Sequence, residues 1–277
     1  VDPRLRRALL VKLPIFLALC CVALTTLLPL AYMGMTALKT RTEYFTNPYG
    51  LPQGIYLDNF RIMVETYGFL RSFGNSVFIV GTSLILSLLM GSLAAFAVAK
   101  LRFRGKRVFF VFLISLQLIP GQVLLIPIYL LAKSWGALDT RWGLILVYTL
   151  MNLPIVVWML YTFFKEVPKD ILEAGRMDGA KPKQEVWMLL MPLSLPGIAS
   201  TALLSIILCW NEAFWSLNLT SSQAAPLTTF IASFSAPEGL FWAKLSAAST
   251  IAIAPILVFG WMSQRQLVRG LTFGAVK

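Results

Sequence analysis

Val167 to Pro192, reading VPKDILEAGRMDGAKPKQEVWMLLMP, is a polar island between two long apolar stretches. Its neighbours are built for lipid. The island is built for water and for a protein partner. Asp170, with Glu173 three residues on, forms a capping-box-like helix start. A short helix is expected through Ile171 to Met177. Gly179 suits the left-handed turn that ends helices. Pro182 suits the first turn of a second helix through Gln184 to Leu190, and Pro192 is expected to bend the chain back into the membrane. The expectation is two short helices at an angle, below the bilayer. Ala174, Gly175, Gly179 and Ala180 let another backbone approach closely, while Glu173, Arg176 and Asp178 offer charges for pairing. On pattern alone, an ordinary amphipathic surface helix with a turn stays open.

Outside the island the chain is strongly apolar. Of its 277 residues 58% are hydrophobic and only 13% charged, about half the charged share of a soluble domain. That places it in the membrane class. Six stretches reach the roughly 20 apolar residues that a helix needs to cross a bilayer. They are about 13–38, 74–99, 108–132, 142–164, 193–216 and 241–262. None shows the ten-residue alternation of barrel strands. The fold class is therefore an all-α membrane protein with six transmembrane helices, read as a single transmembrane domain over 1–277. The first run is too long for a signal-peptide core of about 7–15 residues and is read as a retained span.

The net charge of +12, with no histidine, comes from Lys and Arg between the spans. On a soluble chain it would raise nucleic acid as a partner. Here it points to loops facing anionic lipid. With the N-terminus inside, seventeen Lys and Arg fall on inner segments and seven on outer ones. This bias puts both termini and the island in the cytoplasm. Cys20, Cys21 and Cys209 lie in apolar runs without metal-ligand spacing and read as packing residues, so no metal is expected. The turn Lys100 to Arg107 reads as a topology determinant.

Several polar residues interrupt the spans. Gln117, Pro120, Gly121, Gln122 and Pro127 fall inside the third, and irregular backbone at that depth survives only where protein or a water-filled cavity covers it. This span is expected to line the pathway, with a kinked packing helix as the alternative. Asn152 and Pro154 repeat the pattern in the fourth span. The fifth ends in Trp210-Asn211-Glu212-Ala213-Phe214-Trp215, where the tryptophans read either as an interfacial belt or as sugar-stacking faces. Outside, Leu57 to Phe73 could form an amphipathic helix with Phe60, Met63, Val64 and Tyr67 on one face. Asn218 to Glu238 is nearly uncharged and reads as a flexible probing loop or a plain connection.

The island also resembles the EAA loop of permease subunits of binding-protein-dependent ABC importers: E-A-A, three residues, Gly, nine residues, then I-x-L-P. Here it reads Glu173-Ala174-Gly175, three residues, Gly179, nine residues, then Leu189-Leu190-Met191-Pro192. The departures are Gly175, Leu189 and Met191. The six spans, the long first outer loop and the Trp210-Asn211-Glu212 region resemble the maltose-permease-like carbohydrate branch. Trp210 to Phe234 and the tail Gln264 to Lys277 are most similar to permeases for polyols such as mannitol or sorbitol.

The resemblance implies a bacterial inner-membrane importer. A second homologous permease would complete the pore. Two ATPase subunits carrying ATP and Mg would dock on the EAA loop, and an external solute-binding protein would deliver the substrate. Glu173 matches the glutamate that pairs with an ATPase arginine. About Ser216 to Ala243 matches the outer loop that reaches into the binding protein's cleft. No G-x-x-x-x-G-K-[ST] loop occurs here, so nucleotide chemistry belongs to the partners, and this chain is expected to be a non-catalytic subunit without a cofactor. Gln117, Gln122, Asn152, Asn211, Glu212 and Trp215 supply the amides, carboxylate and aromatic face that a neutral sugar or polyol needs. A secondary transporter would usually carry inverted repeats and midplane ionisable groups. A membrane enzyme would need a metal cluster or a nucleophile–base pair, neither of which is visible.

Overall fold

Apolar runs of this length satisfy their backbone groups in lipid only as helices, and the described chain is helical throughout. The structure, a computed structural model, describes residues 3–235 and 241–272. Glu238, Lys277 and the tail beyond Thr272 lie outside the described residues, as do the side chains of Arg4, Arg6, Arg7, Arg265 and Arg269. The long helices are α1 (Pro3–Ala37), α4 (Phe69–Lys100), α7 (Arg141–Glu166) and α14 (Trp242–Thr272). Between them run α2 (Arg41–Thr46), α3 (Asp58–Glu65), α5 (Lys106–Ser115), α6 (Gly121–Ser134), α8 (Lys169–Met177), α9 (Pro182–Gln184), α10 (Met191–Leu193), α11 (Leu195–Trp210), α12 (Phe214–Leu219) and α13 (Leu227–Ala232).

Four helices are long and apolar enough to cross a membrane, and two bent pairs bring the number to as many as six. The third expected span breaks at Ile119-Pro120, and its halves meet at 94°. The expectation of a single span over 193–216 needs correction. The helix α11 has 16 residues, about 24 Å at 1.5 Å per residue. Pro182–Leu193 meets it at 85°. The break falls at Ser194, between α10 and α11, and Pro192 sits within α10, where its fixed φ is tolerated near a helix start.

Contacts divide the chain into two units, Val1–Phe69 with Ile231–Ala254, and Leu70–Phe230 with Pro255–Lys277. In the first unit the outer segment after α1 folds back on that helix's end. Lys39, 1% exposed, donates from Nζ to the carbonyls of Asn47 and Pro48 at 2.8 and 3.0 Å. The buried Asn59 amide donates to the Ala37 and Lys39 carbonyls. Glu43 Oε1 accepts from the Gln53 backbone at 2.6 Å. The Asn59 bonds satisfy carbonyls that the end of α1 leaves open. The amphipathic helix expected from Leu57 ends at Glu65, because Gly68 takes a left-handed turn (φ 72°) before α4. Of its expected face only Met63 is fully buried, and Tyr67 is exposed.

In the second unit α4 lies against α7 through small residues. Ser83 and Ser87 donate to the carbonyls of Ile145 and Thr149, and a side chain at Gly91 would collide with Val156. Such residues let helices approach where lipid gives no hydrophobic drive. The core below them joins Ala95, Phe96, Val156, Leu160 and Phe164 to Leu172, Val186 and Leu190. The polar island is thus anchored in the bundle by its own apolar face.

Candidate functional site

Two places gather the functional candidates. The first is the island. The helix α8 starts two residues earlier than the Asp170 cap predicts. Pro168 occupies the cap position without a side-chain bond, and Asp170 lies in the first turn, where a carboxylate still faces the positive end of the helix dipole. Its other end follows expectation. Gly179 is left-handed (φ 85°). The Ala180 and Gly179 amides donate back to Gly175 O at 2.9 Å and Arg176 O at 3.0 Å, a Schellman closure. Pro182 opens α9, and Gln184 Oε1 accepts from the Lys181 backbone at 2.8 Å. The second arm is not a plain helix. Glu185–Leu190 winds as a π-helix before α10.

Leu172, Val186 and Leu190 point inward, whereas Glu173, Ala174, Met177 and Asp178 are exposed. Neither the Glu173 nor the Asp178 carboxylate has a hydrogen bond or ion pair among the described residues. Arg176 does. Its Nε and Nη2 donate to Glu185 Oε1 and Oε2 at 2.8 and 2.9 Å. The Arg176 guanidinium is held above its ordinary pKa, chiefly by the bond to Glu185. Of the three charges the sequence offered to a partner, one is therefore committed within the loop. Gly175 also gains a local reason. A Cβ there would stand 2.6 Å from Leu189 Cδ1, so the alanine of the family pattern would push that side chain aside.

The second place is a cavity of about 540 Å³ among α6, α7 and α12. Gln117, Gly121, Gln122, Trp135, Phe214 and Trp215 are on its wall, and most of the remainder is aliphatic. The break at Pro120 turns both amides toward one space. Gln117 is fixed there by a bond from Nε2 to Met151 O at 2.9 Å. Trp215, 6% exposed, stands edge-on to Phe214 with ring centroids 5.2 Å apart.

The other three pathway candidates do not join them. Asn152 is buried, and its amide donates to Tyr148 O and Cys209 Sγ, both at 2.9 Å. It ties α7 to α11. Asn211 donates back to Ile207 O at the end of α11. The Glu212 carboxylate accepts from the backbone of Trp215 at 3.0 Å and of Ser216 at 3.2 Å, so it covers open amides of the first turn of α12 from the position before the Ala213 cap. Trp210 and Trp215 are both buried in protein, and Trp210 packs on Phe73, so an interfacial belt does not describe them.

The residue that sequence reading missed is Asp139. It takes a left-handed backbone (φ 53°), which Asp tolerates better than most residues. Its carboxylate accepts from the backbone amides of Ser221, Ser222, Gln223 and Ala224 at 2.9–3.2 Å. Burial pushes the carboxyl pKa up, but these amides outweigh it and hold the group well below the usual carboxylate range. Asn75 donates to the carbonyls of Gln223 and Ala225, and Ser76 accepts from Leu227 N. Residues 221–227 are therefore pinned, and a freely probing loop does not begin before α13. One signal was available: Asp139 is the lone acid between Glu65 and Glu166. Among the described residues no three acids or cysteines cluster to hold a metal ion.

Residues 87–272 match the family described as the binding-protein-dependent transport system inner membrane component. The chain is 33% identical over 258 residues to the trehalose transport system permease protein SugB of Mycobacterium tuberculosis, covering 91% of this chain and 92% of the relative. It is 30% identical to the inner membrane ABC transporter permease protein YcjP of Escherichia coli, covering 96% of each. Its fold resembles a chain in the crystal structure of a bacterial ABC transporter involved in the import of the acidic polysaccharide alginate. The TM-score is 0.79 at 23% identity, over 96% of this chain and 98% of that one. By the match over 87–272 and by relatives of 30% identity or more along nearly the whole length, the chain belongs to the binding-protein-dependent transport system inner membrane component family, as a non-catalytic, multi-pass permease of an ABC importer.

Proposed function

We propose that this permease forms half of a pathway for a neutral sugar or polyol, and that α8 is where two ATP- and Mg-binding subunits dock. A second homologous permease completes the pore, and an extracytoplasmic solute-binding protein delivers the substrate. Both termini are cytoplasmic. The observation that carries this reading is the joint geometry of the broken third span. One interruption brings two amides and a tryptophan onto a cavity within the 300–1,000 Å³ range of small-molecule sites. The set is uncharged, which suits hydroxyls better than ions. The exposed faces of Leu118, Val123 and Ile126 beside it are apolar surface for the second permease. ATP closes the ATPase dimer, α8 moves with it, and the bend into α11 carries the motion toward the cavity.

The relatives include permeases named for trehalose and diacetylchitobiose, and the polyol assignment is the finer part of the proposal. The test is purification of the complex from native membrane, reconstitution, and uptake of radiolabelled sorbitol, mannitol, trehalose and diacetylchitobiose. ATP-dependent uptake of sorbitol or mannitol, with ATPase subunits and a binding protein in the preparation, is expected. Uptake of only the disaccharides would overturn the polyol reading. Uptake driven by an ion gradient without ATP would overturn the whole.

A further inference from the structure

The corner of the island is mechanically weak by its backbone alone. One left-handed glycine, Gly179, joins α8 to the second arm, which comprises α9, the π-helical turn and α10. A force applied to α8 would fold this corner rather than pass through it, unless something fixes the angle. Besides the Schellman bonds and the core that Leu172 shares with Val186 and Leu190, two contacts stand at the corner. One is the close approach of Gly175 to Leu189, which is apolar and therefore non-directional. The other is the bidentate pair between Arg176 and Glu185, and paired N–H···O bonds of this kind specify orientation as well as distance. Glu185 is 2% exposed and is the first residue of the π-helical turn. Its neighbour Val186 lies in the bundle core. Its carboxylate faces inward, and both of its oxygens accept from Arg176.

We propose that the Arg176–Glu185 pair is a brace that makes α8 and the second arm move as one lever. Glu185, a residue buried away from any partner, then acts as the positioning residue that sets how much of the ATPase stroke reaches α11. The inference rests on the reading that the ATPase docks on α8. It also commits the half-exposed Arg176 to Glu185, so the unpaired charges that this part of α8 offers the ATPase are the acids Glu173 and Asp178.

The test uses the reconstituted complex with Cys20 and Cys21 replaced by alanine and spin labels at Met177→Cys and Met188→Cys, exposed positions on α8 and on the second arm. The parent should give one narrow distance distribution, unchanged when ATP and vanadate trap the complex. Glu185→Gln should broaden it, and stimulation of ATP hydrolysis by the binding protein should fall by about five-fold, the lower edge of ordinary coupling between sites. The ATPase subunits should still co-purify. Arg176→Gln/Glu185→Gln, which leaves no unpaired buried charge, should behave the same way. A narrow distribution with full stimulation in both variants would overturn the brace. So would loss of the ATPase subunits from both, since the pair would then be purely structural. Glu173→Lys separates the two levels. It should lose the ATPase subunits while keeping the narrow distribution. If it retains the subunits and full stimulation, the docking reading falls whatever the label distances report.

Discussion

The chain leaves its apolar spans for polar structure on both sides of α11, and the two places treat their acids in opposite ways. After α11, Asp139 and Glu212 aim their oxygens at backbone amides of 215–216 and 221–224. These carboxylates are consumed in holding the chain. Before α11, Glu185 is consumed by Arg176, but Glu173 and Asp178 keep their oxygens in solvent. A carboxylate kept unpaired on a rigid, anchored helix is available to a partner. A carboxylate that caps amides is a fastener. Sequence alone ranks Glu212 beside Glu173 as a functional acid, and the hydrogen bonds separate them.

The comparison breaks most directly at Glu173. Under the proposed docking, lysine there would turn attraction to a basic ATPase groove into repulsion. Losing a buried charge pair at an interface typically costs about 2–5 kcal/mol, so ATP-driven uptake should nearly vanish while the thermal stability of the detergent-purified permease stays put. Uptake at the parental rate would remove the distinction between the two sides.

Asp139 tests the fastener. Asp139→Ala strands four amides, and with hydrogen bonds to charged groups worth about 1.5–3 kcal/mol, a loss of about 2–3 kcal/mol is expected, read as a lower Tm. The pH dependence has a definite sign. The folded pKa lies below the unfolded value of about 3.9. The contribution is therefore complete above that pH and is lost as pH falls through it toward the folded value. The fall in Tm below about pH 4 should shrink in Asp139→Asn. An unchanged acid profile would mean that the carboxylate does not hold the loop.

Much of this was legible beforehand, for local reasons. Span lengths follow from apolar runs, the corner of the island from Gly179, and the start of its second arm from Pro182. Each signal lies within a few residues of its effect. The break at Pro120 was legible for the same reason. What could not be read depends on distant pairing. Asp139 meets partners more than eighty residues away, and only tertiary structure brings them together. Arg176 and Glu185 are nine residues apart, but the π-helical winding decides which way Glu185 faces, and no pattern announces it. Asn152 and Asn211 carry the same amide as Gln117 and Gln122, and only their partners distinguish them.

The cavity is the next point of attack. Gln122 is exposed on its wall, so Gln122→Ala should leave stability alone and raise the KM for uptake by about three- to ten-fold, the worth of one hydrogen bond. Trp215→Phe keeps an aromatic face and should cost less than Gln122→Ala. If both leave KM unchanged, the substrate is gripped elsewhere.

The smallest expected effect belongs to Asn152. Its amide group binds Tyr148 O and Cys209, but its Oδ1 is buried without a protein partner. Asn152→Leu replaces that polar group with an apolar one of similar volume. The variant loses the bond to Cys209 and also removes an unsatisfied carbonyl, two terms of about 1 kcal/mol and opposite sign. Its Tm should therefore barely move, and its KM should not move at all, because the side chain packs α7 on α11 and does not line the cavity. A several-fold change in KM at constant Tm would return Asn152 to the pathway. It would also mean that, for amides on this side of the membrane, an internal hydrogen bond does not exclude contact with substrate.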